Sequence, residues 1–123
     1  MVIDQDEEAR RTDLVFHALA DSTRRDIVRA VLASEQSVSG LARRYPMSFA
    51  AVHKHVAVLE RAGLVTKRRH GREQLVRGRI ESARHAYDVF EELEALWRAR
   101  MDRFDHILCE PDEEPDQQQG SAQ

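Results

Sequence analysis

The sequence contains a single cysteine, Cys109, among its 123 residues. An intramolecular disulfide is therefore excluded, and so is a metal site built from several cysteines of one chain. The five glycines are scattered and form no phosphate-binding loop. No nucleophile is paired with a general base, and no paired carboxylates are expected in a cleft. These absences argue against an enzyme.

Long apolar runs are also missing. No segment approaches the roughly 18 apolar residues that a membrane-spanning helix needs. The N-terminus is acidic, with Asp4, Asp6, Glu7 and Glu8, whereas a secretory signal begins with basic residues followed by an apolar stretch. We therefore expect a cytoplasmic protein with no membrane contact.

The net charge of −3 hides a strong segregation of charge along the chain. Residues 24–79 carry 13 basic and 4 acidic side chains, a net charge of +9. Residues 80–123 carry 4 basic and 12 acidic side chains, a net charge of −8. A basic middle segment between acidic ends is typical of a surface that binds phosphate groups.

The spacing of apolar residues predicts helices at the start of the chain. Residues 1–7 lack this pattern and are expected to be disordered, and a first helix is predicted over residues 8–20. Asp21 or Ser22 is the expected N-cap of a second helix that ends near Ser34.

A tight turn joins the next two predicted helices. A short helix over residues 39–45 is stopped by Pro46, which cannot continue a helix. Ser48 is the expected N-cap of the following helix, and Gly63 closes that helix. A short helix, a three-residue turn and a second helix form a helix-turn-helix unit, whose second helix enters the major groove of DNA.

The second half of the chain changes pattern. Residues 64–69 and 73–79 flank a glycine-containing turn and predict a β-hairpin. A long helix with heptad spacing is predicted over residues 82–108, and the acidic tail over 110–123 is expected to be disordered. The fold class is therefore mainly α with a small β-hairpin, a winged helix-turn-helix domain over residues 8–109.

This layout predicts two surfaces that contact double-stranded DNA. The first turns of the recognition helix reach base edges, which selects Ser48, Phe49, Ala50, Ala51, His53 and Lys54. The hairpin, or wing, carries side chains that reach phosphates or the minor groove, namely Lys67, Arg68, Arg69, His70 and Arg72. A solvated polar hairpin without a ligand is the alternative for the second group.

Three motifs occur in order along the chain. They are LADSTRRDIV, LARRYPMSFAAVHKHVAVLERAGLV and the basic hairpin. Residues 14–108, which contain them, resemble the ArsR family of bacterial transcriptional regulators. The resemblance implies a symmetric homodimer formed by the first and last helices. It also implies binding to an imperfect palindrome, usually as a repressor of the protein's own operon.

Several positions depart from this family pattern. Recognition helices of the family often carry Ser, Gln or Thr where this chain has Phe49, Ala50 and Ala51, and Ser where it has His53. Hydrogen-bonding side chains are therefore few, and contacts to thymine methyl groups gain importance. Gly78 replaces a larger apolar residue, so the second strand of the wing is expected to end early.

The last helix carries an apolar stripe that is too wide for a chain of this size to bury alone. A dimer interface is expected from this stripe and from the first helix, with Leu14, Phe90, Leu93, Trp97, Met101 and Phe104. A ligand-binding aromatic pocket is the alternative for the stripe, although aromatic residues at heptad spacing more often form a core.

Two alternative functions remain open. Asp102, His106 and Cys109 fall on one helix face at i, i+4 and i+7, so a metal- or thiol-responsive sensor is an alternative. A protein-interaction module that binds through its acidic tail is another, but it has no need of the basic charge over residues 24–79. We expect no metal and no cofactor, and the sequence does not show whether an inducer exists or what it is.

Overall fold

The computed structural model describes residues 2–109, with side chains from Gln5 to Leu108. Its elements are α1 (Val2–Leu19), α2 (Ser22–Ala33), β1 (Gln36–Ser37), α3 (Val38–Ala42), α4 (Phe49–Arg61), β2 (Val65–His70), β3 (Glu73–Gly78) and α5 (Ala83–Cys109). The chain divides into one unit up to Tyr87 and a second unit formed by the rest of α5. The expected tail over 110–123 lies outside the described residues. The predicted fold class, mainly helical with a small antiparallel sheet, is confirmed.

Side-chain caps set the starts of three helices. The Asp21 carboxylate accepts a hydrogen bond from the Arg24 backbone N at 3.1 Å, and the Ser48 hydroxyl accepts one from the Ala51 backbone N at 3.1 Å. Ser37 caps α3 in the same way. Each cap satisfies a backbone N–H that has no partner within the helix. The predicted caps Asp21 and Ser48 are confirmed.

Two helices differ from their predicted bounds. Helix α1 begins at Val2, and it includes residues 2–7, for which the sequence predicted disorder. The run from Glu7 to Arg11 consists of residues with high helix propensity, which favours this extension. Helix α3 ends at Ala42, three residues earlier than predicted, so the turn before α4 is longer than three residues.

The sheet has three antiparallel strands in the order β1-β3-β2. The predicted hairpin of β2 and β3 is present, and Gly71 in its turn has a φ of 64°. The two-residue strand β1 was not predicted, because so short a segment shows no alternation of apolar and polar residues. Gly78 is the last residue of β3, and a Cβ atom there would lie 2.8 Å from Leu32 Cδ2.

The core of the first unit lies between the helices and the wing. Its fully buried large side chains are Val15, Ile27, Val38, Leu41, Val52, Val56, Leu59, Leu64, Val65 and Val76. Ala86, in the first turn of α5, is also buried in this core. The core fixes α4 and β2 to the same body, and therefore holds the recognition helix and the wing in a set relation. Among residues 2–109, no helix is long and apolar enough to cross a membrane.

Candidate nucleic-acid interface

Helix α4 buries one side and exposes the residues predicted to read DNA. Val52, Val56 and Leu59 are fully buried on its inner side. The predicted readers occupy its N-terminal end: Ser48, Phe49, Ala50, His53 and Lys54 are exposed, and Ala51 is half-buried. A helix turns by about 100° per residue, so Lys54 points almost directly away from the buried side. This end of α4 is therefore accessible to a ligand.

Phe49 and His53 form a ring pair at the start of α4. Their ring centroids are 6.1 Å apart and their planes are inclined by 33°. Phe49 is 52% exposed, although it is one of the largest apolar side chains on this surface. The spacing i, i+4 places the two rings on the same flank of the helix.

Arg24 holds α4 against the junction of α1 and α2. Its guanidinium donates hydrogen bonds to the carbonyl oxygens of Ala18 at 2.7 Å and His17 at 3.1 Å. Its Nη1 also lies 3.2 Å from Nδ1 of His55, which accepts the bond when the ring proton is on Nε2. Hydrogen bonds from a charged group are stronger than those between neutral groups. Arg24 and His55 therefore position the recognition helix from behind, a role that the residue pattern did not reveal.

The wing has two faces with different surroundings. Directly paired residues of β2 and β3 lie on the same face, and the register pairs Lys67 with the buried Val76. The other face carries the pairs Thr66 with Arg77 and Arg68 with Leu75. Arg69 shares the first face with Lys67, because side chains alternate along a strand.

Two of the predicted wing cations are bound by carboxylates. The Lys67 ammonium lies 3.3 Å from Glu60 Oε1 on α4. The Arg68 guanidinium makes two bonds to Glu35, from Nε at 3.0 Å and from Nη2 at 3.2 Å. Neither carboxylate was predicted. Glu35 is 33 residues from Arg68 in sequence, and only the three-stranded sheet order, which places β3 between β1 and β2, brings the two together.

The charge around Glu35 is concentrated on one face of the wing. The hydrogen bond from Arg68 lowers the pKa of the Glu35 carboxyl below its ordinary value, and the charges of Arg68, Arg77 and His70 act in the same direction. Burial opposes these effects. Glu35 is therefore ionised at neutral pH and offsets part of the positive charge of the wing.

Arg69 and Arg72 complete the predicted wing surface. Both side chains are exposed, and neither has a carboxylate within ion-pair distance among the side chains from Gln5 to Leu108. His70 is exposed beside the turn. The hairpin tip therefore presents the cations that are most available to a phosphate.

The predicted dimer residues of α5 are largely exposed. Phe90, Leu93, Trp97 and Phe104 are each more than half exposed, and Met101 is half-buried. Leu14 of α1 is half-buried and packs against the core of the first unit. The four exposed side chains and Met101 share one face of α5.

No group of three or more His, Cys, Asp or Glu side chains that could hold a metal ion is found in the described part of the chain. Asp102 and His106 line the same shallow hollow on α5. The side chain of Cys109, the third member of the alternative site, lies outside the described side chains. Zinc requires three or four ligands close together, and the described residues supply no such set.

The helix-turn-helix, the hairpin beside it and the exposed helix start define a winged helix-turn-helix protein. A family model described as a helix-turn-helix domain matches residues 19–68. The chain is 36% identical over 95 residues to the HTH-type transcriptional regulator Rv2034 of Mycobacterium tuberculosis, covering 77% of this chain and 78% of that protein.

Solved structures give the same assignment. The ArsR-like transcriptional regulator from Rhodococcus sp. RHA1 is 32% identical, with a TM-score of 0.66 over 80% of this chain and 93% of that chain. The homodimeric winged helix-turn-helix DNA-binding domain of Mb0332 from Mycobacterium bovis has a TM-score of 0.54. At 21% identity, and with 78% of this chain and 83% of that chain covered, it shows the fold alone.

The protein belongs to the ArsR family of winged helix-turn-helix transcriptional regulators. It is a DNA-binding regulator of transcription, as the motifs of the sequence predicted. The predicted individual DNA contacts remain predictions.

Proposed function

We propose that the protein is a homodimeric repressor that binds an imperfect palindrome in duplex DNA and controls its own operon. The two copies of α4 would enter successive major grooves, and the two wings would contact the flanking backbone. The proposed DNA-contacting side chains are those named above at the start of α4, from Ser48 to Lys54, together with those of β2 and its turn, from Lys67 to Arg72. No catalytic role is part of this proposal.

The apolar stripe of α5 is the observation that carries the dimer. Helix α5 has 27 residues, a length of about 40 Å. Phe90 is 67% exposed and Trp97 is 59% exposed, and both lie on the stripe. A contiguous apolar face of this size is unfavourable in water and marks a protein interface. A second copy of the same helix covers it most simply, because a symmetric dimer pairs the same patch on both subunits.

The geometry of DNA supplies the second reason for a dimer. One recognition helix contacts only a few base pairs, whereas two related by a twofold axis read half-sites about 34–36 Å apart. The related domain of Mb0332 is described as homodimeric, which supports the same arrangement here. A dimer would therefore read two half-sites, which supplies the sequence discrimination that one short exposed helix end lacks.

Trp97→Ala tests the proposal. We expect the wild-type protein to sediment as a dimer at micromolar concentration, and the variant to shift towards monomer. Truncation of an aromatic side chain in a packed interface costs about 3–5 kcal/mol. Affinity for a DNA duplex selected from a random library should fall in parallel, although no residue of α4 or the wing has changed.

Glu91→Ala is the matched control, because Glu91 is exposed and lies outside the apolar stripe of α5. It should leave both the sedimentation and the affinity for the selected duplex unchanged. A wild-type monomer that binds the selected duplex tightly would contradict the dimer. Selected sequences without an inverted repeat would contradict the palindrome, and a reporter gene unaffected by the protein would contradict repression.

A further inference from the structure

The aromatic pair of Phe49 and His53 lies on a flank of α4, between Lys54 and the buried side of the helix. Positions 49, 53 and 60 fall on one flank of α4, since the helix turns by about 100° per residue. Glu60 on this flank binds Lys67 of the wing, with 3.3 Å between Oε1 and Nζ, so the flank faces the wing. Lys54 lies on the other side of the pair, away from the core. DNA that contacts both Lys54 and the wing would therefore cross the flank of α4 that carries these rings.

The Phe49 side chain is only partly covered by the rest of the protein. It is 52% exposed, and the ring contact it makes among the described residues is with His53. The next two residues, Ala50 and Ala51, offer only methyl groups and no hydrogen-bond donors. An exposed phenyl ring on a surface intended for DNA gains free energy only if the DNA offers an apolar group in return.

The major groove offers one such group on its base edges. Thymine carries a C5-methyl group there, whereas the other edges of the standard bases display hydrogen-bond donors and acceptors. A methyl on C5 of cytosine occupies the equivalent position. We propose that Phe49, supported by His53, determines specificity by packing against the C5-methyl group of a pyrimidine. This inference rests on the proposed docking of α4 in the major groove.

The size of the effect follows from the area of one methyl group. Burial of a methyl-sized apolar group corresponds to a change in affinity of about three- to fourfold. Each subunit of a symmetric dimer contributes one Phe49. Removal of the methyl from both half-sites should therefore lower the affinity by about tenfold, if the two contacts are independent.

The experiment uses the full-length protein and a duplex selected by it from random DNA. Each thymine of one half-site is replaced in turn by deoxyuridine, which removes only the C5-methyl group. We expect one position at which the wild-type affinity falls about three- to fourfold. Phe49→Ala should bind the thymine and deoxyuridine duplexes at that position equally well. Phe49 is exposed, and a thermal melt checks that the variant folds as the wild type does.

Lys54→Ala is the matched control for affinity. It removes a charge from the exposed end of the same helix without changing Phe49, so it should weaken binding while preserving the ratio between the thymine and deoxyuridine duplexes. A second set of duplexes carries C·G or 5-methylcytosine·G at the sensitive position. Tighter binding of the methylated duplex, again lost in Phe49→Ala, would show that the methyl itself is recognised, whatever base carries it.

The outcomes separate this inference from the proposed function. If the protein selects a defined duplex but every deoxyuridine substitution is neutral, methyl recognition is wrong and the docking of α4 stands. Sensitivity to deoxyuridine that persists in Phe49→Ala would assign the contact to another residue and overturn the inference. Failure to enrich any duplex would overturn the proposed function itself.

Discussion

At the scale of single residues, we expect Glu35 to reduce the number of wing cations that are available to DNA phosphates. Its carboxylate binds Arg68 through two hydrogen bonds and lies close to the charges of Arg77 and His70. An exposed ion pair of this kind contributes little to stability. We expect a larger effect on DNA binding, because a phosphate at Arg68 would compete with Glu35 for the guanidinium and would be repelled by the same carboxylate.

Glu35→Gln should therefore strengthen binding to random-sequence duplex DNA. Release of one arginine for a phosphate contact makes the slope of log affinity against log salt more negative by up to about 0.9. Titrations at several salt concentrations measure this. The control is the same substitution in an Arg68→Ala background, where only the smaller gain from relief of direct repulsion should remain. A gain of equal size in that background would show that Glu35 acts on DNA directly.

The wing cations are not equivalent under this arrangement. Arg69→Ala should flatten the salt slope by about 0.9, because Arg69 has no carboxylate partner among the described side chains. Arg68→Ala should flatten it less. Because the pKa of Glu35 is lowered, its pairing with Arg68 is lost only in acid, once the pH falls below 4.5, the ordinary pKa of a Glu carboxyl. The difference between the two arginines is therefore expected at neutral pH.

At the scale of elements, the helix-turn-helix is held by hydrogen bonds behind the DNA-facing surface. The Tyr45 hydroxyl, after the end of α3, donates to Asp26 Oδ2 on α2 at 2.7 Å. Burial and, after it, the hydrogen bond to Asp26 together raise the pKa of Tyr45 to about 12. Arg24 and His55 hold α4 in a similar way. These bonds tie α2 to α1, to α4 and to the segment that follows α3. None of these side chains faces the exposed end of α4.

Tyr45→Phe should lower the free energy of unfolding by about 1 kcal/mol, the usual net value of one hydrogen bond. Urea denaturation measures the change, and Tyr87→Phe, at a tyrosine 61% exposed, is the control expected to have no effect. A raised pKa means that the neutral tyrosine is favoured in the folded state. The stabilisation is therefore complete below pH 10 and is lost as the pH rises through about 12. An equal loss in both variants would contradict this role of Tyr45.

The starts of α2 and α4 were predictable because their causes are local. Asp21 and Ser48 each bind a backbone N–H three residues ahead, and this arrangement is visible in the sequence. Strand β1 was missed, because its two residues become a strand only by pairing with Val76 and Leu75 of β3. The same distant pairing brings Glu35 near Arg68. Contacts between residues far apart in sequence leave no periodic signal in either segment.

At the scale of the whole molecule, the change in charge along the chain falls between the wing and α5. The basic residues 24–79 contain α4 and the wing, and the acidic residues 80–123 contain α5. The charge pattern of the sequence therefore singled out the segment that forms α4 and the wing, where the DNA contacts are predicted. It could not show which cations are offset, since that depends on the positions of Glu35 and Glu60 in the folded chain.

Zinc should not change the affinity for DNA. We expect addition of zinc, or its removal by a chelator, to alter the affinity for the selected duplex by less than about twofold, or roughly 0.4 kcal/mol. The reason is that zinc needs at least three converging ligands, and no group of three is found among the described residues. A larger response that disappears in the double variant His106→Ala, Cys109→Ser would instead support the sensor alternative.

The contact between Gly78 and Leu32 has a consequence for how this regulator tolerates mutation. A side chain at position 78 would meet Leu32 Cδ2 at 2.8 Å and its backbone nitrogen at 3.0 Å, and a backbone atom cannot move aside cheaply. Strand β3 would have to lift away from α2, and the hairpin tip would move with it. A genetic screen for lost regulation would therefore find inactivating changes at Gly78, although this residue is not among those expected to contact DNA.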